Sequence, residues 1–145
     1  MQLKVLIIED EPPIATMLRY NIEHDGHETT TVIGVPPGIG ITDDGYLQAF
    51  DDSGPVTIDL REYAVAFVDG RLGSDSLPGW KIAPHLEKAG VVCVGMSASD
   101  NAQFVGTSFV CQDKTRVVSF IREHLDDAYQ LGCARALERS QTVAA

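Results

Sequence analysis

Apolar residues gather in short runs separated by polar turns, and their spacing alternates between two kinds of element. Leu3 to Ile8 is rich in Val and Ile and reads as a buried strand. Pro12 and Pro13 follow, which a first helical turn tolerates. Ile14, Met17, Leu18 and Ile22 then recur at helical spacing until Asp25-Gly26. Glu28 to Ile33 reads as a second strand, Ala64 to Val68 as a third core strand, Val91 to Val94 as a fourth and Phe109 to Cys111 as a fifth. Gly79 to Lys88 is helical in pattern, with Ile82, Ala83 and Leu86 partly on one face and Trp80 as a packing residue. Ser99 to Phe104 allows only a short helix. Arg116 to about Arg139 is the longest helical pattern; Gly132 is expected to weaken it or end it early, and Ser140 to Ala145 to be a frayed tail.

One stretch breaks the alternation. Val35 to Pro55 carries Pro36, Pro37, Gly38, Gly40, Gly45, Gly54 and Pro55, which argues against a long helix. Tyr46 to Phe50 is strand-like, Asp51-Asp52-Ser53-Gly54 is a turn signal, and Val56-Thr57-Ile58 is placed to pair back as a hairpin. The hairpin either binds a partner or covers a sheet edge.

Strands alternating with helices imply a parallel sheet covered on both faces. With 145 residues and 44% apolar content, the chain fits one compact domain over residues 1–139. No apolar run is long enough to cross a bilayer, and the short N-terminal run ends in acids rather than a cleavage site. The expected location is the cytoplasm, with no membrane partner. A net charge of -10 opposes binding to a phosphate backbone, so no nucleic-acid partner is expected. Cys93, Cys111 and Cys133 are widely spaced and odd in number, which favours reduced thiols, the first two buried in strands.

Chemistry enters at the strand ends. KVLIIEDEPP delivers Glu9 and Asp10, and AVAFVDGRLGS delivers Asp69. Ligands of such sheets bind beyond the carboxyl ends of the strands, so Glu9, Asp10, Asp69 and Ser97 are expected along one edge. A lone Asp after a strand is ordinarily a turn or cap residue; a co-aligned set is not. Carboxylates gathered in one pocket repel, and a hard cation such as magnesium relieves them with oxygen ligands. A carboxylate can also act as a nucleophile and form an acyl phosphate. His24 and His27 flank a turn and lack a second ligand pair, while His85 and His124 have no identifiable partner.

Taken in order, IIEDEP, FVDGRLG, GMSAS and the lysine at 114 resemble the response-regulator receiver family of two-component signalling, over nearly the whole chain. The resemblance implies a flavodoxin-like fold with a five-stranded parallel, doubly wound sheet. It implies a phosphorelay role in which Asp69 accepts a phosphoryl group from phosphohistidine. Glu9 and Asp10 then correspond to the acidic metal-binding pair, with Asp69 and the Arg71 carbonyl completing a Mg2+ site. Ser97 corresponds to the switch hydroxyl, Ala98 to the small residue that offers its amide, and Lys114 to the lysine paired with phosphoryl oxygens. The side chains of Arg71 and Ser99 stand where dephosphorylation is tuned. The implied partners are a histidine kinase or histidine phosphotransfer protein and a downstream protein target. The implied chemistry is self-phosphorylation from a donor and autodephosphorylation.

The chain also departs from that pattern. The hairpin-like stretch stands where receivers have their second helix, and Asp69 follows Asp10 by 59 positions. Lys114 follows Ser97 by only 17, so the fourth helix is short or absent. Cys111 stands where an aromatic is expected, with Phe109 two earlier, and no proline follows Lys114. If Phe109 is the equivalent aromatic, Gln112 takes the lysine's position. These changes touch the signalling face more than the acidic edge. They leave open a pseudo-receiver, an interaction module that is not phosphorylated. A phosphatase with an aspartyl nucleophile would need a second acid two residues after it, where Arg71 stands.

Overall fold

The computed structural model describes residues 2–97, 104, 107–111 and 117–144. Five strands form one parallel sheet: β1 (Lys4–Ile8), β2 (Glu28–Val32), β5 (Val65–Asp69), β6 (Val92–Met96) and β7 (Phe109–Cys111), in the order β2-β1-β5-β6-β7. The central strands β1, β5 and β6 are buried almost throughout, as unbroken apolar runs require when both sheet faces are covered. Residues alternate between two cores. Val5, Ile7, Val65, Phe67, Val92 and Val94 pack with α1 (Pro12–His24) and α3 (Val117–Ala144). Leu6, Ile8, Ala66, Val68 and Cys93 pack with α2 (Gly79–Lys88) on the other face. The sheet is therefore doubly wound.

The Pro/Gly-rich stretch forms the expected hairpin. Strands β3 (Tyr46–Asp51) and β4 (Gly54–Asp59) pair antiparallel, and Gly54 at φ +118° closes the turn. Leu47, Ala49 and Ile58 bury one hairpin face in the core on the α2 side. The hairpin thus covers sheet surface in the place of a helix. It also extends β2, because the Ile33 N–H donates to the Phe50 carbonyl (2.9 Å) and the Phe50 N–H to Gly34 (3.0 Å).

Two expectations about α3 change. Gly132 does not end the helix, and the helix continues past Arg139 as far as Ala144, through positions read as a frayed tail. Gly132 is buried, and a Cβ there would lie 2.9 Å from Val65 and 3.1 Å from the Ala64 carbonyl oxygen. Its role is close helix–sheet approach. The distal turns are tied down by Arg139, which donates to the carbonyls of Leu60 (3.3 Å), Ala89 (3.3 Å) and Tyr63 (3.1 Å). Of the stretch read as a short fourth helix, only Phe104 lies within the described residues; it is buried on the α2 side. Cys93 and Cys111 are buried, Cys133 is half-buried, and none is in a disulfide. Burial raises the Cys93 thiol well above its ordinary pKa, and the Glu87 charge adds to the shift.

Candidate functional site

The parallel register sets the edge. Ile8 lies opposite Val68, and Asp69 opposite Met96. Glu9 and Asp10 therefore leave β1 beside the end of β5, and Ser97 leaves β6 on its other side. Glu9 is held by its own N–H, which donates to Val32 at 3.0 Å, and by its Oε1, which accepts the Glu11 N–H at 3.0 Å. Gly70 continues the ladder by donating to the Met96 carbonyl at 2.8 Å. The Ser97 N–H donates to the Cys111 carbonyl at 3.1 Å. Arg71 donates its N–H to Asp69 Oδ1 at 3.3 Å, so its backbone stays beside that carboxylate.

Glu9, Asp10 and Asp69 each place a carboxylate oxygen within 4.8 Å of the others. Glu9 is 1% and Asp69 3% exposed, while Asp10 is exposed. Two ionised carboxylates at that separation repel by at least about 3 kcal/mol at an effective dielectric near 20. Helix N-termini partly offset this. Helix α1 begins just after Glu11, and α2 begins at Gly79, whose N–H donates to Gly70 at 3.0 Å.

The donor set fits Mg2+. All three groups are hard oxygen ligands, and an octahedral ion at about 2.1 Å needs ligand oxygens roughly 3–4 Å apart. The carboxylate oxygens lie within 4.8 Å of one another, and Asp10 is exposed. Thus Glu9, Asp10 and Asp69, predicted from separate motifs, come together. Ser97 stands on the same edge and Arg71 two residues beyond Asp69. Ala98, Ser99, Gln112 and Lys114 lie outside the described residues, so the choice between Gln112 and Lys114 is not settled by the structure.

Sequence reasoning missed three contributors. Gly79 lets α2 start against the Asp69 backbone: a Cβ there would lie 2.7 Å from the Asp69 carbonyl carbon and 2.9 Å from Val68 Cγ1. Asp52, on the hairpin turn, lines a cavity of about 200 Å3 with Glu9, Asp10, Thr16, Arg19 and Thr31. Phe104 packs over the edge, 3.1 Å from a Cβ on Gly70 and 2.6 Å from one on Gly95. A glycine inside a strand was the one local signal for such close approach. Nothing local marks Asp52, since its proximity depends on how the hairpin docks.

No family model matches the chain, and no curated protein matches it. Solved structures do. A two-component response regulator from Clostridium difficile is 14% identical, over 89% of this chain and 97% of its own, with a TM-score of 0.60. The response regulator TrrA from Thermotoga maritima, in complex with Mg2+-BeF, is 13% identical over 88% and 99%, with a TM-score of 0.57. The non-phosphorylated HemR receiver domain from Leptospira biflexa is 14% identical over 88% and 94%, with a TM-score of 0.61. Identity at this level speaks to fold, and the sheet order and flanking helices agree with it: the chain has the flavodoxin-like fold of response-regulator receiver domains.

Proposed function

We propose that this protein is a phosphorylatable receiver in two-component signalling, with Asp69 as the phosphoacceptor. The observation that carries the reading is the convergence of three carboxylates from two strand ends at the carboxyl edge of a receiver fold. In this reading an Asp69 carboxylate oxygen attacks phosphorus and forms an acyl phosphate. The P–N bond of the donor phosphohistidine breaks, and its electron pair stays on the imidazole, which takes up a proton. Glu9, Asp10, Asp69 and the Arg71 carbonyl would hold Mg2+, which when bound neutralises the carboxylates and the phosphoryl oxygens. Ser97 and Lys114 close on the phosphoryl oxygens, aided by the Ala98 amide, and shift a two-state equilibrium.

The donor is a histidine kinase or histidine phosphotransfer protein in the cytoplasm, and the output is a protein partner. Among the described residues no helix is long and apolar enough to cross a membrane. The test is intact mass after incubation with a small phosphodonor, with and without magnesium, on wild type and Asp69→Asn. A magnesium-dependent phosphoryl adduct absent from the variant supports the assignment. An adduct of equal yield in Asp69→Asn refutes it. If the wild type forms no adduct and beryllofluoride also shows no magnesium-dependent binding to it, the pseudo-receiver reading replaces this one.

A further inference from the structure

The hairpin approaches the acidic edge at its turn and packs on the chain just beyond β2. Its turn residue Asp52 shares a cavity with Glu9 and Asp10. Its Phe50 packs against the backbone of Gly34, and Ser76 packs there as well. A Cβ on Gly34 would lie 2.9 Å from a Phe50 ring carbon and 2.8 Å from the Ser76 Cβ. Phe50 and Ser76 therefore pack so closely on Gly34 that a side chain there has no room.

Ser76 belongs to the loop that follows Asp69. That loop is closed at its base by the Gly79 N–H on Gly70 (3.0 Å) and turned by the Ser76 N–H on Gly73 (3.0 Å). Its far end is fastened to the strand extension beside the hairpin. Ser76 Oγ accepts the Val35 N–H (2.9 Å) and donates to the Leu77 carbonyl (2.8 Å), while the Leu77 N–H donates to the Val35 carbonyl (2.8 Å). Leu72 and Leu77 add partly buried apolar contact.

We infer that the hairpin is a positioning element of the cation site, acting through Gly34 and Ser76 on the loop that carries Arg71. The inference rests on reading Glu9, Asp10 and Asp69 as that site, with the Arg71 carbonyl as a further ligand. A small hard cation demands near-octahedral geometry, so a backbone carbonyl serves it only if the loop is held still. A loop fastened only at its base opens locally at little cost. The Ser76 hydroxyl, which accepts the Val35 N–H, and the Leu77 N–H, which donates to the Val35 carbonyl, remove that freedom, and Phe50 packs against Gly34 beside Val35. Ser76 is thus a positioning residue rather than a ligand. The hairpin does more than cover a sheet edge.

The test compares wild type with Ser76→Ala, Ser76→Thr and Phe50→Leu. Amide hydrogen exchange at Val35 and Leu77 is measured on the metal-free protein, and Mg2+ affinity by calorimetric titration. In Ser76→Ala, exchange at Leu77 should accelerate about tenfold and the Mg2+ Kd rise about fivefold, as expected for losing one or two modest hydrogen bonds. Ser76→Thr, which keeps the hydroxyl, should restore both, and Phe50→Leu should shift both the same way. Faster exchange with an unchanged Kd overturns the inference and leaves the cation site standing. Exchange that rises evenly across the sheet makes Ser76 merely structural and also overturns it. A wild type that binds no Mg2+ overturns the cation-site reading and this inference with it.

Discussion

Substituting Gly79 by alanine sets two physical effects against each other. Gly79 opens α2, and alanine is the better helix former by up to about 1 kcal/mol, so propensity alone predicts stabilisation. Packing predicts the reverse. The added Cβ would sit 2.7 Å from the Asp69 carbonyl carbon and 2.9 Å from Val68 Cγ1, and backbone cannot rotate away as a side chain can. Relieving the clash moves the start of α2 off β5 and strains the 3.0 Å bond from the Gly79 N–H to Gly70. Overpacking of this kind costs about 1–3 kcal/mol and a lost hydrogen bond about 1. After subtracting the propensity gain, the net loss is about 2 kcal/mol. For a chain of this size that lowers the melting temperature by roughly 7 °C. Urea unfolding followed by circular dichroism measures it directly, with an unchanged slope expected. A midpoint equal to or above wild type would show that α2 does not approach Asp69 so closely.

Other elements make separate commitments. Glu87 accepts bonds from Cys93 N–H (3.2 Å), Ser108 N–H (2.8 Å), Ser108 Oγ (2.6 Å) and the Arg135 guanidinium, so Glu87→Ala removes the acceptor of all four; a loss of about 3 kcal/mol in urea unfolding is expected. The Arg61–Asp59 pair is exposed on the arginine side, so Arg61→Ala should leave the urea midpoint close to that of wild type. Burial, opposed by Asp25 and aided by the N-terminal charge, holds the His27 pKa below its ordinary 6.5, and neutral Nδ1 accepts the Leu3 N–H at 3.1 Å. The unfolded chain therefore takes up that proton first. The His27 contribution is full above about pH 6.5 and is lost as pH falls towards the lower folded value. The stability gap between wild type and His27→Gln should narrow from pH 7.5 to 5.5; a constant gap would refute this. Magnesium should raise the melting temperature of wild type, and Asp69→Asn should shrink that rise, because the variant lacks one of three carboxylates gathered within 4.8 Å. An equal rise in both proteins would refute this.

Apolar runs such as Leu3–Ile8 and Ala64–Val68 announced the strands because a strand buried on both faces leaves no room for polar residues. Gly79–Lys88 was legible to the residue, and the hairpin followed from a turn signal between two strand-like segments. The acidic edge was legible for the same reason: a carboxylate that ends an apolar run must leave the sheet at its carboxyl edge. Gly132 misled because helix propensity counts a glycine as a loss, whereas here the missing Cβ brings α3 onto Val65. The extent of α3 beyond Arg139 was hidden for a related reason. Its last turns are held by an arginine reaching three carbonyls that lie 50–79 residues earlier in the chain. The part of Asp52, Phe50 and Ser76 at the site was also out of reach, because it depends on how separately readable elements dock.

These docking contacts bear on what the acidic edge requires. Two carboxylates buried within 4.8 Å of each other repel when both are ionised, and that repulsion works against holding the edge in place. Its parts are instead held from elsewhere: Glu9 by Val32 and Glu11, Gly70 by Met96 and Gly79, and the loop beyond Asp69 by Val35. Most of these partners are backbone groups in or beside regular elements. An edge fixed in this way keeps its donors near one another at the cost of mutual repulsion. On the proposed reading a divalent cation would release that repulsion rather than having to assemble the site, which is the condition under which a small, reluctantly dehydrated ion can bind through a few carboxylates.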